Sequence, residues 1–303
     1  MFFERLRAFG SARACLYNIG MKLAVLSDIH GNLPALHSVA QHIDAWQPDH
    51  VVVNGDIVNR GPCSTACLRF VQERQRSCSW QVVRGNHEDY VLEHAQPGVV
   101  RSGIQFEINY ISYWTYQRLN GEIAALSALP DWLSLRALDR SEARMAHGSM
   151  RNNRDGVYVN TSDDVLRQQI APAPAVFCTA HTHYPLIRRS DDTLVVNSGS
   201  VGSPSDGDPR ASYAQVTWRR GQWRAQIVRL EYDREQAGRD FTTSGFLDHA
   251  GAIAHLIHFE WRFAQPFFPL WMYQYQAHVL AGEIELEESV RAFMADYRPI
   301  LER

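Results

Sequence analysis

The chain has 303 residues, 45% of them apolar and 21% charged, with a formal net charge of −3. These are the proportions of a soluble globule, and the length exceeds the usual single-domain size, so one large domain with an appendage is expected. The charge excludes a global pull toward nucleic acid or anionic membrane, and five cysteines without paired metal-type spacing point to reduced thiols and a cytoplasmic home.

Residues 1–20 lack the uninterrupted apolar core and cleavage site of a signal peptide. Arg5, Arg7 and Arg13 outnumber Glu4, which fits a short amphipathic targeting helix. A start codon set too early is the simpler reading, because Met21 directly precedes the first expected strand. That strand, 22–27, runs into Asp28-Ile29-His30-Gly31-Asn32. A helix is expected next, with Asn32 as its N-cap, Pro34 in its first turn and Leu36, Val39, Ala40, Ile43 and Trp46 on one face. A second strand, 50–54, ends in Gly55-Asp56, and a helix is expected over 64–76. The strand at 80–84 runs into Gly85-Asn86-His87-Glu88. A buried aromatic helix is expected over 106–119 and another over 121–129, stopped by Pro130. The strand at 143–146 ends at His147-Gly148. Ser162 can cap a helix running to Ile170. The strand at 175–179 ends in Ala180-His181-Thr182-His183. From 186 to 232 the pattern is strands and turns, with hairpins at Asp191-Asp192 and Arg220-Gly221. The order βαβαβα, then helices, then strands, reads as α/β.

Past Asp233 the text changes. Residues 246–281 are crowded with aromatics but too often interrupted by polar residues to span a bilayer. Leu286, Val290, Phe293 and Tyr297 form a helical stripe. This stretch is expected to be a helical appendage, packed either on the core or against a second subunit in a homo-oligomer.

Five of the strand-like runs end in Asp, Asn or His. Strands of an α/β sheet deliver such residues to one edge, where ligands bind. Asp28, His30, Asp56, Asn86, His147, His181 and His183 are therefore expected to converge. Imidazole with carboxylate and amide oxygen suits zinc, manganese, iron, nickel or cobalt. Seven ligands are too many for one tetrahedral ion and enough for two ions bridged by a carboxylate. Two metals roughly 3.5–4 Å apart can clamp a phosphoryl group and ionise a shared water.

As a set, Asp28-x-His30, Gly55-Asp56, Gly85-Asn86-His87-Glu88, His147 and His181-x-His183 resemble the signature of the calcineurin-like metallophosphoesterases, most closely the compact bacterial branch. Ser27-Asp28-Ile29-His30-Gly31-Asn32 resembles its opening, and Asn197-Ser198-Gly199-Ser200 its close. The likeness covers about 21–230. It implies a two-sheet α-β-β-α sandwich, with 1–20 as an extension, 21–232 as the catalytic domain and 233–303 as the helical appendage. By residue-by-residue match, Asp28, His30 and His183 would hold one divalent transition metal and Asn86, His147 and His181 a second, with Asp56 bridging. Manganese is the expected metal, the other four being compatible. A bridging water acidified by both cations would be the nucleophile, attacking phosphorus in line with the leaving oxygen. His87 would protonate the leaving oxygen or steady the phosphate. Asn54 and Asn197 would orient ligands or serve turns.

Arg60 stands where the compact bacterial branch often has an aromatic, and resembles the phosphate-binding arginine of the serine/threonine phosphatase branch. It would grip phosphate oxygens. The proline usual after Ser149 is missing, and Ser205 stands where many relatives carry arginine, so the substrate-facing loops differ. Arg136, Arg140, Arg144, Arg151 and Arg154 form either a local basic surface or a solvated face. The expected reaction is hydrolysis of a phosphomonoester or small nucleotide phosphoester. The alternatives are a phosphodiesterase or nuclease with the same metals, or a binding scaffold that has kept the fold without catalysis. Nucleic acid is compatible with the site but not indicated by charge, and no membrane partner is expected.

Overall fold

A computed structural model describes residues 20–301. The expectations for 1–20 thus lie, apart from Gly20, outside the described residues. The strands are β1 (Met21–Leu26), β2 (His50–Asn54), β3 (Gln81–Val83), β4 (Trp132–Arg136), β5 (Glu142–Ala146), β6 (Val176–Thr179), β7 (Leu186–Ser190), β8 (Thr193–Asn197), β9 (Ala211–Arg219) and β10 (Gln222–Leu230). They form two five-stranded sheets, ordered β10-β9-β1-β2-β3 and β4-β5-β6-β8-β7. β1, β2 and β3 run parallel, as do β5, β6 and β8.

The sheets face one another. β1 is buried on both faces, which is why it reads as a continuous apolar run. Leu23 and Val25 point between the sheets toward a core shared with Met145, Val176, Cys178, Val196 and Trp218. Ala24 and Leu26 point outward, under α1 (Leu33–Trp46) and α2 (Ser64–Cys78). The second sheet carries α7 (Asp163–Ile170) on its outer face through Leu166 and Ile170 against Phe177 and Val195. This is the α-β-β-α sandwich.

The expected caps hold. Asn32 accepts from the Ala35 amide and Ser162 from the Val165 amide. Both hairpin turns occur: Asp191 turns at φ 48°, and Arg220 and Gly221 at 54° and 76°, the signs a tight antiparallel turn needs. Three expectations need correction. The helix over 106–119 is two helices, α4 (Ile104–Ile108) and α5 (Tyr110–Leu119), because Asn109 leaves helical geometry at ψ 10°. The helix over 121–129 shrinks to α6 (Ile123–Ser127), since Gly121 enters at φ 97°. β4 was not expected. It is an edge strand with one half-exposed and one exposed face, so its alternation is weak.

The first-sheet loops also carry α3 (Asn86–Glu93). The chain ends in α8 (Arg234–Thr243), α9 (Phe246–His249), α10 (Ile253–Phe263), α11 (Phe267–Trp271), a π-helical turn at Met272–Gln276, α12 (Ala277–Leu280) and α13 (Leu286–Leu301). Their apolar side chains form one core with Ile108, Ile111 and Trp114 from the helices before β4. The stripe on α13 is buried within the chain: Leu286, Val290 and Phe293 are 3%, 3% and 0% exposed, and Phe293 stacks on Tyr297 with centroids 4.5 Å apart. Among the described residues no helix is long and apolar enough to cross a membrane.

Truncating Phe293 removes the centre of that core. Phe293→Ala should therefore cost about 3–5 kcal/mol in chemical denaturation. Val290→Glu with Phe293→Asp should aggregate or melt early. A stable double variant by thermal melting and light scattering would mean that this helix is dispensable.

Candidate metal centre

Each expected site residue follows the end of a strand, on a loop except for Asn86 and His87, which open α3. The loop after β1 is laid against the loop after β2: the amides of Asp28, Ile29, His30 and Gly31 donate to the carbonyls of Gly55, Asp56, Asp56 and Ile57 (2.8–3.1 Å). From the other side, Val201 and Gly202 donate to Ser27 and Asp28. The Ala180 amide donates to the His147 carbonyl, joining the loops of the second sheet. Asp28, His30, Asp56, His181 and His183 all take left-handed backbone, with φ between 47° and 68°. That conformation costs a non-glycine residue ~1–3 kcal/mol and persists only where the surroundings impose it.

The seven expected ligands are brought together. His183 Nε2 lies 3.3 Å from Asp28 Oδ1 and 3.1 Å from His30 Nε2. His147 Nε2 lies 3.2 Å from Asp56 Oδ2 and 3.0 Å from Asn86 Oδ1. His181 Nδ1 lies 2.9 Å from the same Asn86 oxygen. His30 Nε2 is 3.7 Å from Asp56 Oδ2. Asp28 with His30 and His183, Asp28 with Asp56 and His147, and His30 with Asp56 and His87 each bring their donor atoms within 4.8 Å of one another.

The tautomers decide what these contacts are. His147 Nδ1 donates to the Asn54 carbonyl (2.8 Å), and His183 Nδ1 to the Ser203 carbonyl. A neutral imidazole has one N–H, so each Nε2 presents a lone pair. Those lone pairs face carboxylate oxygens, an amide oxygen and another imidazole nitrogen. Asp28 Oδ1 is buried with no hydrogen-bond partner. Acceptors turned toward acceptors in a buried site call for a cation. Ring nitrogens oriented by a backbone carbonyl are the usual outer support of a metal-binding histidine. The same demand falls on protons. Burial disfavours the His147 cation, but Asp56 and Asp28 hold it up to about 10. Burial pushes His181 down to about 4 and lowers His30 well below its ordinary value. The donor set fits a divalent transition metal.

Three residues that the sequence reading left without a role hold this arrangement. Glu88, fully buried, accepts four backbone amides: Asp56 and Gly85 on one oxygen, Ile57 and Val58 on the other (2.8–3.2 Å). Burial and the Asp56 carboxylate push it up to about 7, against the pull of those amides. Asn59 fixes His87. Its oxygen accepts the Arg60 amide, so its NH₂ donates to His87 Nδ1 and to the Ser112 hydroxyl, 2.9 Å each. His87 therefore carries its proton on Nε2. Glu260 on α10 pairs with Arg60 at 2.6 Å. Arg60 is thus tethered to the C-terminal helices, with its Nε buried and unbonded. Only the motif Gly-Asn-His-Glu pointed to Glu88. Nothing local pointed to Glu260, 200 residues from its partner.

Asn54 and Asn197 both brace the loops. The Asn54 amide donates to the Ala146 and Cys178 carbonyls and that of Asn197 to Ala180. Of the five clustered arginines, Arg144, Arg151 and Arg154 pair with Glu142, Asp155 and Glu93.

Residues 21–221 match the model of the calcineurin-like phosphoesterase superfamily domain. The chain belongs to that family. It is 25% identical over 236 residues to MJ0912, an uncharacterized protein of Methanocaldococcus jannaschii, which covers 71% of this chain and 89% of the relative. It is 24% identical over 200 residues to phosphodiesterase YfcE of Escherichia coli K12, covering 65% of this chain and 87% of that one. A solved metallophosphoesterase from Sphaerobacter thermophilus superposes with a TM-score of 0.64 at 24% identity, over 81% of this chain and 100% of the other. A protein of Pyrococcus horikoshii OT3 does so at 0.65 and 20%, over 77% and 97%. These structures share the fold.

Two outcomes test the geometry. A Cβ on Gly85 would lie 2.0 Å from Asp56 Oδ1 and 2.5 Å from the Asp56 amide. Gly85→Ala should therefore keep the circular dichroism of the parent and retain less divalent metal by elemental analysis after loading. Full metal content in that variant would detach Asp56 from metal binding. For the Arg60–Glu260 pair, side chains 14% and 3% exposed, removing one charge strands the other. Glu260→Ala should cost about 3–5 kcal/mol, whereas Arg60→Met with Glu260→Leu should come close to neutral. A denaturation cycle with additive losses would show that the two do not interact.

Proposed function

We propose that the protein is a dinuclear metal-dependent phosphoesterase hydrolysing phosphomonoesters or small nucleotide phosphoesters. The observation that carries this reading is the cluster of ligand-type nitrogens and oxygens facing one another around Asp28 and Asp56, two buried carboxylates that among the described residues pair with histidines and with no arginine or lysine. Asp28, His30 and His183 would hold one metal, Asn86, His147 and His181 the other, and Asp56 both, because a carboxylate has two oxygens to share. When bound, the metals supply charge to set against phosphoryl oxygens and acidify a water. The chain's residues do the rest. The Asn54 and Ser203 carbonyls keep His147 and His183 in the ligating tautomer. Arg60 offers a phosphate oxygen the guanidinium nitrogen that Glu260 does not hold.

His87 offers Nε2–H. An NH₂ group against Nδ1 opposes a second proton there, as an acceptor carboxylate would not. Burial also pushes the imidazole down to about 3. His87 thus acts as a neutral donor steadying a phosphate oxygen. Of the two roles open from the sequence, this one has the support of the Asn59 contact.

A second reading, hydrolysis of phosphodiesters, is favoured by the likeness to YfcE, a phosphodiesterase. It uses the same metals and differs in the charge presented to Arg60. Residues 21–232 would suffice for the metal chemistry in either case.

Metal-loaded protein should hydrolyse nitrophenyl phosphate, with Asp56→Asn at least ~10³-fold slower. Activity of that variant within tenfold of the parent under saturating manganese would end the bridging role. Bis-nitrophenyl phosphate run beside it separates monoesterase from diesterase. His87→Ala should slow nitrophenyl and glycerol phosphates by a similar factor, about 10²-fold. A loss concentrated on glycerol phosphate, the poorer leaving group, would instead make His87 a general acid.

A further inference from the structure

The cavity next to the acceptor cluster has two unlike walls. One is polar: Asn86, His181, His87 and Arg60. The other is Ile108, Ile111, Ile253, Ile257 and Phe268. Its volume is ≈190 Å³, against the ~10–15 Å³ that a single water occupies on the same measure. Ile108 and Ile111 come from α4 and α5. Ile253 and Ile257 stand one turn apart on α10, and Phe268 is on α11. The four isoleucines are 3–5% exposed and belong to the core of the C-terminal helices, so the wall is fixed in shape.

Phosphate has no use for such a wall. Lining a cavity with hydrocarbon is favourable only if hydrocarbon comes to lie on it and water leaves. Hydroxyl groups placed there would lose bonds to water without replacement. Of the polar side chains bordering the wall, Asn59 bonds Ser112 (2.9 Å), and Asn109 turns its amide nitrogen to the Gln105 carbonyl (2.8 Å). Phe268 also lies 5.9 Å from the Arg60 guanidinium, so the apolar wall adjoins the phosphate-side cation.

Resting on the phosphoesterase reading, we propose that this cavity takes the organic group of the ester, and that the group is a single aromatic ring or a branched hydrocarbon of similar bulk. The C-terminal helices would then set specificity. They bring three of the five apolar residues, and Glu260 from the same helix fixes Arg60 beside them.

Benzyl phosphate and glycerol 3-phosphate test this on the full-length manganese-loaded chain, because both release an alkyl alcohol. Benzyl phosphate should have the higher kcat/KM by about tenfold or more. Phe268→Ala should shrink that preference at least ~threefold. Phe268 is only half-buried, and the parent's preference needs no variant. Equal kcat/KM values, or a preference for glycerol phosphate, would overturn the proposal. Isothermal titration with benzylphosphonate and methylphosphonate separates the two levels. If no ester is hydrolysed but benzylphosphonate binds at least ~tenfold tighter, the cavity assignment stands and the phosphoesterase reading fails. If esters are hydrolysed without preference and the phosphonates bind alike, the reverse holds.

Discussion

Two carboxylates, Asp28 and Asp56, are buried side by side, and among the described residues they are bridged by histidines and by no arginine or lysine. Their charge is the constraint on which the centre of this protein depends. A buried charge is tolerated only when it is paired, and among the surrounding imidazoles only His147 is held toward its charged form, up to about 10, while burial lowers His30 and His181. The site is therefore built for a cation and is unfavourable without one. The loops around it bear the consequence. Five of the seven converging residues sit in left-handed backbone, a conformation their side chains would not choose. Hydrogen bonds between the β1 and β2 loops hold Asp28, His30 and Asp56 there, and Glu88 gathers four amides of the β2 and β3 loops. The Gly85 position shows how closely the parts are fitted. One methyl group there would overlap the Asp56 carboxylate.

This geometry explains why the sandwich suits the site. Parallel strands β1, β2 and β3 end at one edge of their sheet, and β5 and β6 end at the matching edge of the other. Each sheet alone delivers an incomplete set: Asp28, His30, Asp56 and Asn86 from the first, His147, His181 and His183 from the second. Packing the sheets through the shared core of Val25, Val52, Met145 and Cys178 closes the cluster. Hydrophobic burial far from the chemistry thus sets distances at the chemistry, since cores of native density transmit small displacements.

Much of this was legible in the sequence because it is local. Strand followed by Asp, Asn or His is a short-range pattern, and so are the Asn32 and Ser162 caps and the two hairpin turns. The family resemblance supplied the pairing of the sheets, which periodicity does not contain. What stayed hidden was of two kinds. β4 and the break at Asn109 are weak signals: a half-exposed edge strand lacks clean alternation, and an asparagine in an aromatic run does not announce a helix boundary. Glu260 and Asn59 are non-local. An acidic residue in an amphipathic helix reads as a solvent-facing charge, and only the folded chain reveals that it lies beneath Arg60. Glu88 stood in a quoted motif, yet its work is done on backbone amides, which leave no trace in side-chain patterns.

The C-terminal helices join the site by a different logic from the sheets. They add no group to the acceptor cluster. They add one buried acid and a hydrocarbon wall. A buried Arg–Glu pair contributes little net stability, because desolvation consumes what the attraction returns. Apolar residues of similar volume would pack at least as well at Arg60 and Glu260. The pair is better understood as fixing orientation. A guanidinium on a positive-φ residue, with one nitrogen anchored and Nε unbonded, has few rotamers left and loses little freedom on meeting a phosphate oxygen. Anchor and wall lie on adjoining helices whose core also includes α13. A disturbance at the far end of the chain would therefore reach the site through Arg60 and the cavity lining before it reached the acidic and imidazole groups that the sheets position.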